Sequence, residues 1–153
     1  MDKIDWKILA ELEENGRLSF AELGDKVALS KSPCWSRVRD LEQAGAIAGY
    51  GALIDPNAVG LTVHCLVSVR IRFDMHDAFE QAVIDHPAVM ECYTTAGDSD
   101  YVLRVHARSV EHLDDLLRHK LAKLPGVHRL TSTLFLKAIK ARSSVAKWAA
   151  STV

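Results

Sequence analysis

Apolar residues recur at helical spacing through the first fifty positions and at a period of two from residue 63 onward. Ile4, Ile8, Leu9 and Leu12 mark one face of a first helix, which stops near Gly16. Ser19 followed by Glu22 is a capping box, in which each side chain satisfies a free backbone N–H of a second helix burying Leu23 and Val27. Only Ala28-Leu29 separates this helix from Ser30, an N-cap residue, and from Pro33 in the first turn of a third helix, where a missing N–H costs little. Cys34, Val38 and Leu41 line one side of that helix, and Gly45 ends it. Two helices joined by so short a turn cross steeply, as in a helix-turn-helix.

The second half alternates. Ile47 to Ile54 is an apolar, glycine-punctuated ribbon leading out of the bundle, and Asp55-Pro56-Asn57 is a turn signal. Val63, Cys65, Val67, Val69, Ile71 and Phe73 then form the buried face of one long strand. A helix follows with Ala78, Phe79, Ala82 and Val83 inward, then a strand over Val89–Ala96, a turn at Gly97-Asp98-Ser99-Asp100, and a strand over Tyr101–Ala107. Ser109 caps another helix with Leu113, Leu116, Leu117, Leu121 and Leu124 inward, and Val127–Leu136 is the last strand. The order β-α-β-β-α-β predicts a ferredoxin-like unit in an α+β chain, with both helices on one face of an antiparallel sheet. The other face would carry Leu66, Tyr93, Val102 and Phe135, which is too apolar for water and calls for a second copy of the chain. The expected divisions are a winged-type helix-turn-helix domain over 1–50, a linker ribbon over 51–61, the ferredoxin-like domain over 62–140 and a tail over 141–153, read as a frayed terminus in preference to a partly ordered extension.

Charge changes the picture only locally. The chain of 153 residues is 48% hydrophobic and 25% charged, with a net charge of −1, so it is no general polyanion binder. Residues 30–39, however, hold Lys31, Arg37 and Arg39 with no acid, and residues 137–147 hold Lys137, Lys140, Arg142 and Lys147 with none. At about 100° per residue, Ser32, Ser36 and Arg39 stand opposite the buried stripe of the third helix, with Trp35 and Arg37 flanking it. Lys31 lies at the N-terminal tip, whose free N–H groups favour a phosphate. A small, polar, basic helix face suits a major-groove reader, and it equally describes the solvated face of an ordinary three-helix bundle. No apolar run approaches the ~20 residues that span a bilayer, and the charged start at Met1–Trp6 has no signal-peptide core. Cys34, Cys65 and Cys92 sit in apolar patterns as free thiols of a reducing compartment, so the cytoplasm is expected.

Gly97-Asp98-Ser99-Asp100 offers carboxylates and turn amides that could hold an amino acid, or is a plain hairpin turn. Thr94, Thr95, Thr131, Ser132 and Thr133 supply hydroxyls on neighbouring strands, although threonine is also simply a good strand residue. His112 and His119 are separated by ~10 Å of helical rise and cannot chelate one ion alone, so no metal is expected. No phosphate loop, Cys-x-x-Cys pair or nucleophile elbow is present, so neither catalytic residues nor a cofactor are expected.

Taken in order, these motifs resemble the Lrp/AsnC family of transcription regulators over nearly the whole chain. The resemblance rests on Asp5 with Ile8-Leu9, Asn15-Gly16-Arg17-Leu18-Ser19, Leu29 to Cys34, and Arg37-Val38-Arg39-Asp40-Leu41-Glu42. It continues through Gly45-Ala46-Ile47, Gly49-Tyr50, Asp55-Pro56, Gly60-Leu61, Gly97 to Tyr101, and Leu124-Pro125-Gly126-Val127. It implies a sequence-specific regulator whose partners are double-stranded DNA, further copies in homodimers that join into octamers, and a small effector such as an amino acid. It assigns DNA contact to Lys31, Ser32, Trp35, Ser36, Arg37 and Arg39. It places the effector around Thr94, Thr95, Ala96, Gly97, Asp98, Asp100 and Tyr101, with Thr131, Ser132 and Thr133 on the neighbouring strand. Ala28 stands where the family usually has Gly or Asn, and Gly24 where it usually has Ala. A φ above zero at Ala28 would cost ~1 kcal/mol, and glycine at 24 would loosen its helix by a similar ~1 kcal/mol. The alternative is an oligomeric metabolite-binding protein or enzyme built on the ferredoxin-like half, with the bundle serving only assembly.

Overall fold

The computed structural model describes residues 1–152. The chain forms two compact units, one of Met1–Leu53 together with the chain from Ile139 onward, the other of Ile54–Ala138.

In the first unit, α1 (Lys3–Glu14), α2 (Phe20–Val27) and α3 (Lys31–Gln43) bury Ile8, Leu23, Val27, Cys34, Val38 and Leu41 against one another. The Ser19–Glu22 capping box opens α2, and a second box, Asp2 with Asp5, opens α1. Ala28 closes α2 in the left-handed conformation, with φ 59° and ψ 43°. Ser30 occupies the N-cap position of α3, but its side chain makes no capping bond. The reason is local: Pro33 stands third in the helix, where the usual donor to an N-cap hydroxyl would be. The ribbon from Ala48 to Ile54 pairs with no strand, and Tyr50, Leu53 and Ile54 are exposed. The tail departs from the expected frayed end. It forms α6 (Val145–Ala150), which packs on α1 and buries Ala146.

In the second unit, β1 (Val63–Ile71), α4 (His76–Ile84), β2 (Val89–Thr94), β3 (Tyr101–Ala107), α5 (Val110–Asp115) and β4 (Val127–Leu134) follow the ferredoxin-like order. The strands lie β2-β3-β1-β4, with antiparallel pairing throughout. After α5 the helix widens into a π turn over Leu116–Lys120 and tightens into a 3₁₀ turn over Leu121–Lys123. Cys65, Val67, Val69 and Ile71 of β1 and Tyr101, Leu103, Val105 and Ala107 of β3 meet Phe79, Val83, Leu113, Leu116 and Leu121 in the core. Ala78, expected inward, is exposed. The register sets Leu66 opposite Thr133 and Tyr93 opposite Val102 on the other face, as the alternation requires. His64 and His106 stack on that same face, with ring centroids 4.4 Å apart.

Candidate nucleic-acid interface and effector region

α3 presents Lys31, Ser32, Trp35 and Arg39 to solvent, with Ser36 half-buried beside them. Trp35 and Arg39 are one helical turn apart, and the Arg39 guanidinium lies 5.0 Å from the Trp35 ring centroid. This cation–π contact holds a long, flexible cation over a flat platform and so limits where its fork can point. Because Ser30 does not cap, the backbone N–H groups of Lys31 and Ser32 remain open at the positive end of the helix, next to the Lys31 ammonium.

Arg37, expected among the DNA contacts, is half-buried beside this face and paired with two acids at the start of α1. Its Nη1 donates to Asp2 Oδ2 at 2.8 Å and to Asp5 Oδ1 at 2.7 Å. The remaining oxygens of the same two carboxylates close the capping box of α1. Asp2 Oδ1 accepts from the N–H of Ile4 and Asp5, and Asp5 Oδ2 accepts from the N–H of Asp2. The Asp5 backbone N–H, and after it the Arg37 guanidinium, hold the Asp2 carboxyl below its ordinary range. Both bonds use Nη1, and the two carboxylates offset the positive charge that would otherwise draw a phosphate. Asp2 and Asp5 could be found in the sequence as a box of two acids three apart. Their bond to Arg37 could not, because it spans more than thirty residues.

The turn after β2 is tightly held by its own backbone. Thr95 N–H donates to Asp100 O at 3.0 Å, and Asp100 N–H donates to Val69 O at 3.0 Å. The Asp100 carboxylate accepts from Ile71 N–H at 2.8 Å through Oδ2, which ties it to the end of β1. Thr95, Ala96, Gly97 and Asp98 are exposed, and Arg70 Nε donates to the Asp98 carbonyl. The sequence did not single out Arg70; its only signal was its polar place in the alternation of β1.

Two further residues of the expected effector set lie elsewhere. Tyr101 is 1% exposed and belongs to the core. Its hydroxyl donates to Glu80 Oε1 at 2.6 Å and lies 2.8 Å from His76 Nδ1, and burial, with Glu80 beside it, pushes the phenol up. Ser132 pairs with Val67 and so takes the helix-covered side of the sheet, whereas Thr131 and Thr133 pair with Ser68 and Leu66 on the open face. Ser132 lines a groove of about 330 Å³ along the β4 edge with Asp114, Arg118 and Leu130. Thr94 pairs with Tyr101 at the end of β2. The set therefore divides into the exposed turn, the open face, the groove at the β4 edge and the core. Among the described residues, no group of three or more His, Cys, Asp or Glu side chains is placed to hold a metal ion.

Residues 1–48 match a winged helix-turn-helix DNA-binding domain, and residues 64–145 match the Lrp/AsnC ligand binding domain. The chain belongs to the Lrp/AsnC family. The Bkd operon transcriptional regulator of Pseudomonas aeruginosa is 37% identical over 147 residues, covering 94% of this chain and 96% of that one. The leucine-responsive regulatory protein of Escherichia coli K12 is 36% identical over 143 residues, covering 92% and 87%. A transcriptional regulator of Neisseria meningitidis, solved as a complex with L-methionine, superposes with a TM-score of 0.91 at 37% identity, covering 95% of this chain and 96% of that one. This Lrp/AsnC member is therefore a DNA-binding transcription regulator with a ligand-binding domain, and its relatives are regulators rather than enzymes. No helix among the described residues is long and apolar enough to cross a membrane.

Proposed function

We propose that this regulator reads double-stranded DNA with Lys31, Ser32, Trp35, Ser36 and Arg39, and that an amino acid bound in its second unit modulates that reading. The observation that carries the DNA reading is the exposed face of α3, where Arg39 lies over Trp35 and the helix N-terminus is left uncapped. Lys31 and the open N–H groups position the helix on phosphate, and Arg39 and the serines reach base edges. The amino-acid effector is supported by the relative solved with L-methionine. On this chain the exposed turn Thr95–Asp98, with Thr94 beside it and Thr131 and Thr133 on the open sheet face, supplies amides, hydroxyls and the exposed Asp98 carboxylate, whose Oδ1 lies 3.9 Å from Arg70 Nη2. That open face, with Leu66, Tyr93, Val102 and Phe135, covers itself against a second copy, and dimers join further into octamers in the cytoplasm.

The test is a gel-shift titration against the DNA upstream of the protein's own gene, with Arg39→Ala as the contrast. Salt-sensitive binding that Arg39→Ala abolishes supports the reading. Binding untouched by the substitution overturns the assignment of the face. A thermal-shift screen of the twenty amino acids identifies the effector, since a ligand at 100 times its Kd stabilises by ~2.7 kcal/mol.

A further inference from the structure

We infer that Arg37 is a positioning residue: by bridging the two carboxylates of the α1 capping box, it sets how the recognition helix is rolled against α1. The inference rests on α3 being the DNA reader and goes beyond it, because Arg37 touches no DNA in this scheme.

Three observations converge on it. The Arg37 Nη1 lies 2.7 and 2.8 Å from one oxygen of each carboxylate, while the other oxygen of each closes the cap at 2.7 to 2.9 Å. Each carboxylate is thus used twice, and the position of one fixes the position of the other. Second, these are the only hydrogen bonds between α3 and α1 with its cap among the described residues; the rest of the contact is apolar, through Ile8, Cys34, Val38 and Leu41. Apolar burial is non-directional and tolerates a roll of the helix, whereas charge-assisted hydrogen bonds have a defined geometry. Third, Arg37 lies two residues from both Trp35 and Arg39, so any roll it restrains is a roll of the reading face. A roll of about 20° carries a side-chain tip ~6 Å from the helix axis through ~2 Å, which is enough to break a base contact.

On this inference Asp2 and Asp5, at the start of α1, act on the face of α3 through one guanidinium.

The experiment measures the affinity of full-length protein for two duplexes across a range of salt. One is the best-bound duplex selected with the wild-type chain, the other a scrambled duplex of equal length. The variants are Arg37→Met, which keeps the bulk of the side chain and removes the charge, and Asp5→Asn, which keeps Arg37 and removes a partner. The positioning role predicts that both lose about ten-fold or more in preference for the selected duplex, while the slope of log Kd against log salt stays at the wild-type value. Arg37→Lys, which keeps charge without the planar fork, restores part of the preference. A salt slope smaller by about one phosphate in Arg37→Met, with Asp5→Asn unchanged or tighter, overturns the inference and makes Arg37 a DNA contact. Folded variants with wild-type preference overturn it as well, leaving Arg37 a purely structural pair. Wild-type protein that binds neither duplex removes the DNA reading itself, an outcome separable from failure of the variants alone. If Arg37→Met does not fold, Asp5→Asn decides the question.

Discussion

The carbonyl oxygen of Leu29 lies 2.5 Å from the point where a Cβ on Gly24 would stand. The left-handed Ala28 folds the chain back over the end of α2, so that the N–H groups of Ala28 and Leu29 both donate to the Gly24 carbonyl. Gly24 is therefore not a loose spot in α2. It makes room for the turn, and the residue that takes the strained conformation is an alanine four positions on.

The two positions should respond in opposite senses. Ala28→Gly relieves the left-handed strain and raises stability by ~1 kcal/mol. Gly24→Ala gains up to ~1 kcal/mol of helix propensity but drives a methyl into a backbone carbonyl and lowers stability overall. Urea unfolding followed by circular dichroism checks both signs. A stabilising Gly24→Ala would mean that the Leu29 carbonyl can give way to a methyl group.

Glu13 should make the docking of α6 acid-sensitive. It accepts from Ser144 Oγ at 2.6 Å and from the N–H of Val145 and Ala146 at 2.9 and 3.1 Å, and the Ser144 bond chiefly holds its carboxyl below the ordinary range. A depressed acid contributes stability above its unfolded pKa and loses it as pH falls through the folded one. The tail is thus held at neutral pH and loses this support as the pH falls below the ordinary carboxylate range. Glu13→Ala should release it at neutral pH, at a cost typical of a lost cap, ~1 kcal/mol. Amide exchange at Val145 and Ala146, corrected for intrinsic rates, reads both effects.

Removing the Tyr101 hydroxyl tests where the effector does not bind. Tyr101→Phe leaves Glu80 and His76 without their shared partner and should cost ~1–3 kcal/mol of the second unit's stability. Effector affinity, measured by calorimetry on the folded protein, should stay within about two-fold of wild type. A large loss of affinity would return Tyr101 to the site.

Trp35→Ala should weaken DNA binding through Arg39. Loss of an exposed cation–π platform is worth ~0.5–1 kcal/mol, a few-fold in Kd, and Trp35→Phe should recover part of it. Arg39→Ala and the double variant should then weaken binding equally, because the platform has nothing left to hold. Additive losses would show that Trp35 touches DNA on its own.

The thiols should be inert. Cys34 and Cys65 are fully buried, and burial pushes both thiols up, as it does Cys92. Iodoacetamide should label Cys34 and Cys65 only in denaturant, as followed by intact mass.

The sequence by itself determined the elements whose causes are local. The Ser19–Glu22 box, the alternation along Val63–Ile71 and the turn at Gly97–Asp100 depend on residues within a few positions of one another. Even the positive φ of Ala28 was readable as a conditional cost. Tertiary structure decided the rest. Arg37 looked free because Asp2 and Asp5 lie 35 and 32 positions away, and the tail looked frayed because its cap, Glu13, lies 131 positions from Ser144. Periodicity already set Tyr101 opposite in sense to Val102 and so on the covered side, whereas its hydroxyl's partners, Glu80 and His76, lie 21 and 25 positions away. Ser30 failed as a cap for a local reason that was readable in Pro33. Hydrogen bonds and charge pairs between distant segments form only where packing brings the partners within about 3 Å, and no pattern along the chain encodes that distance.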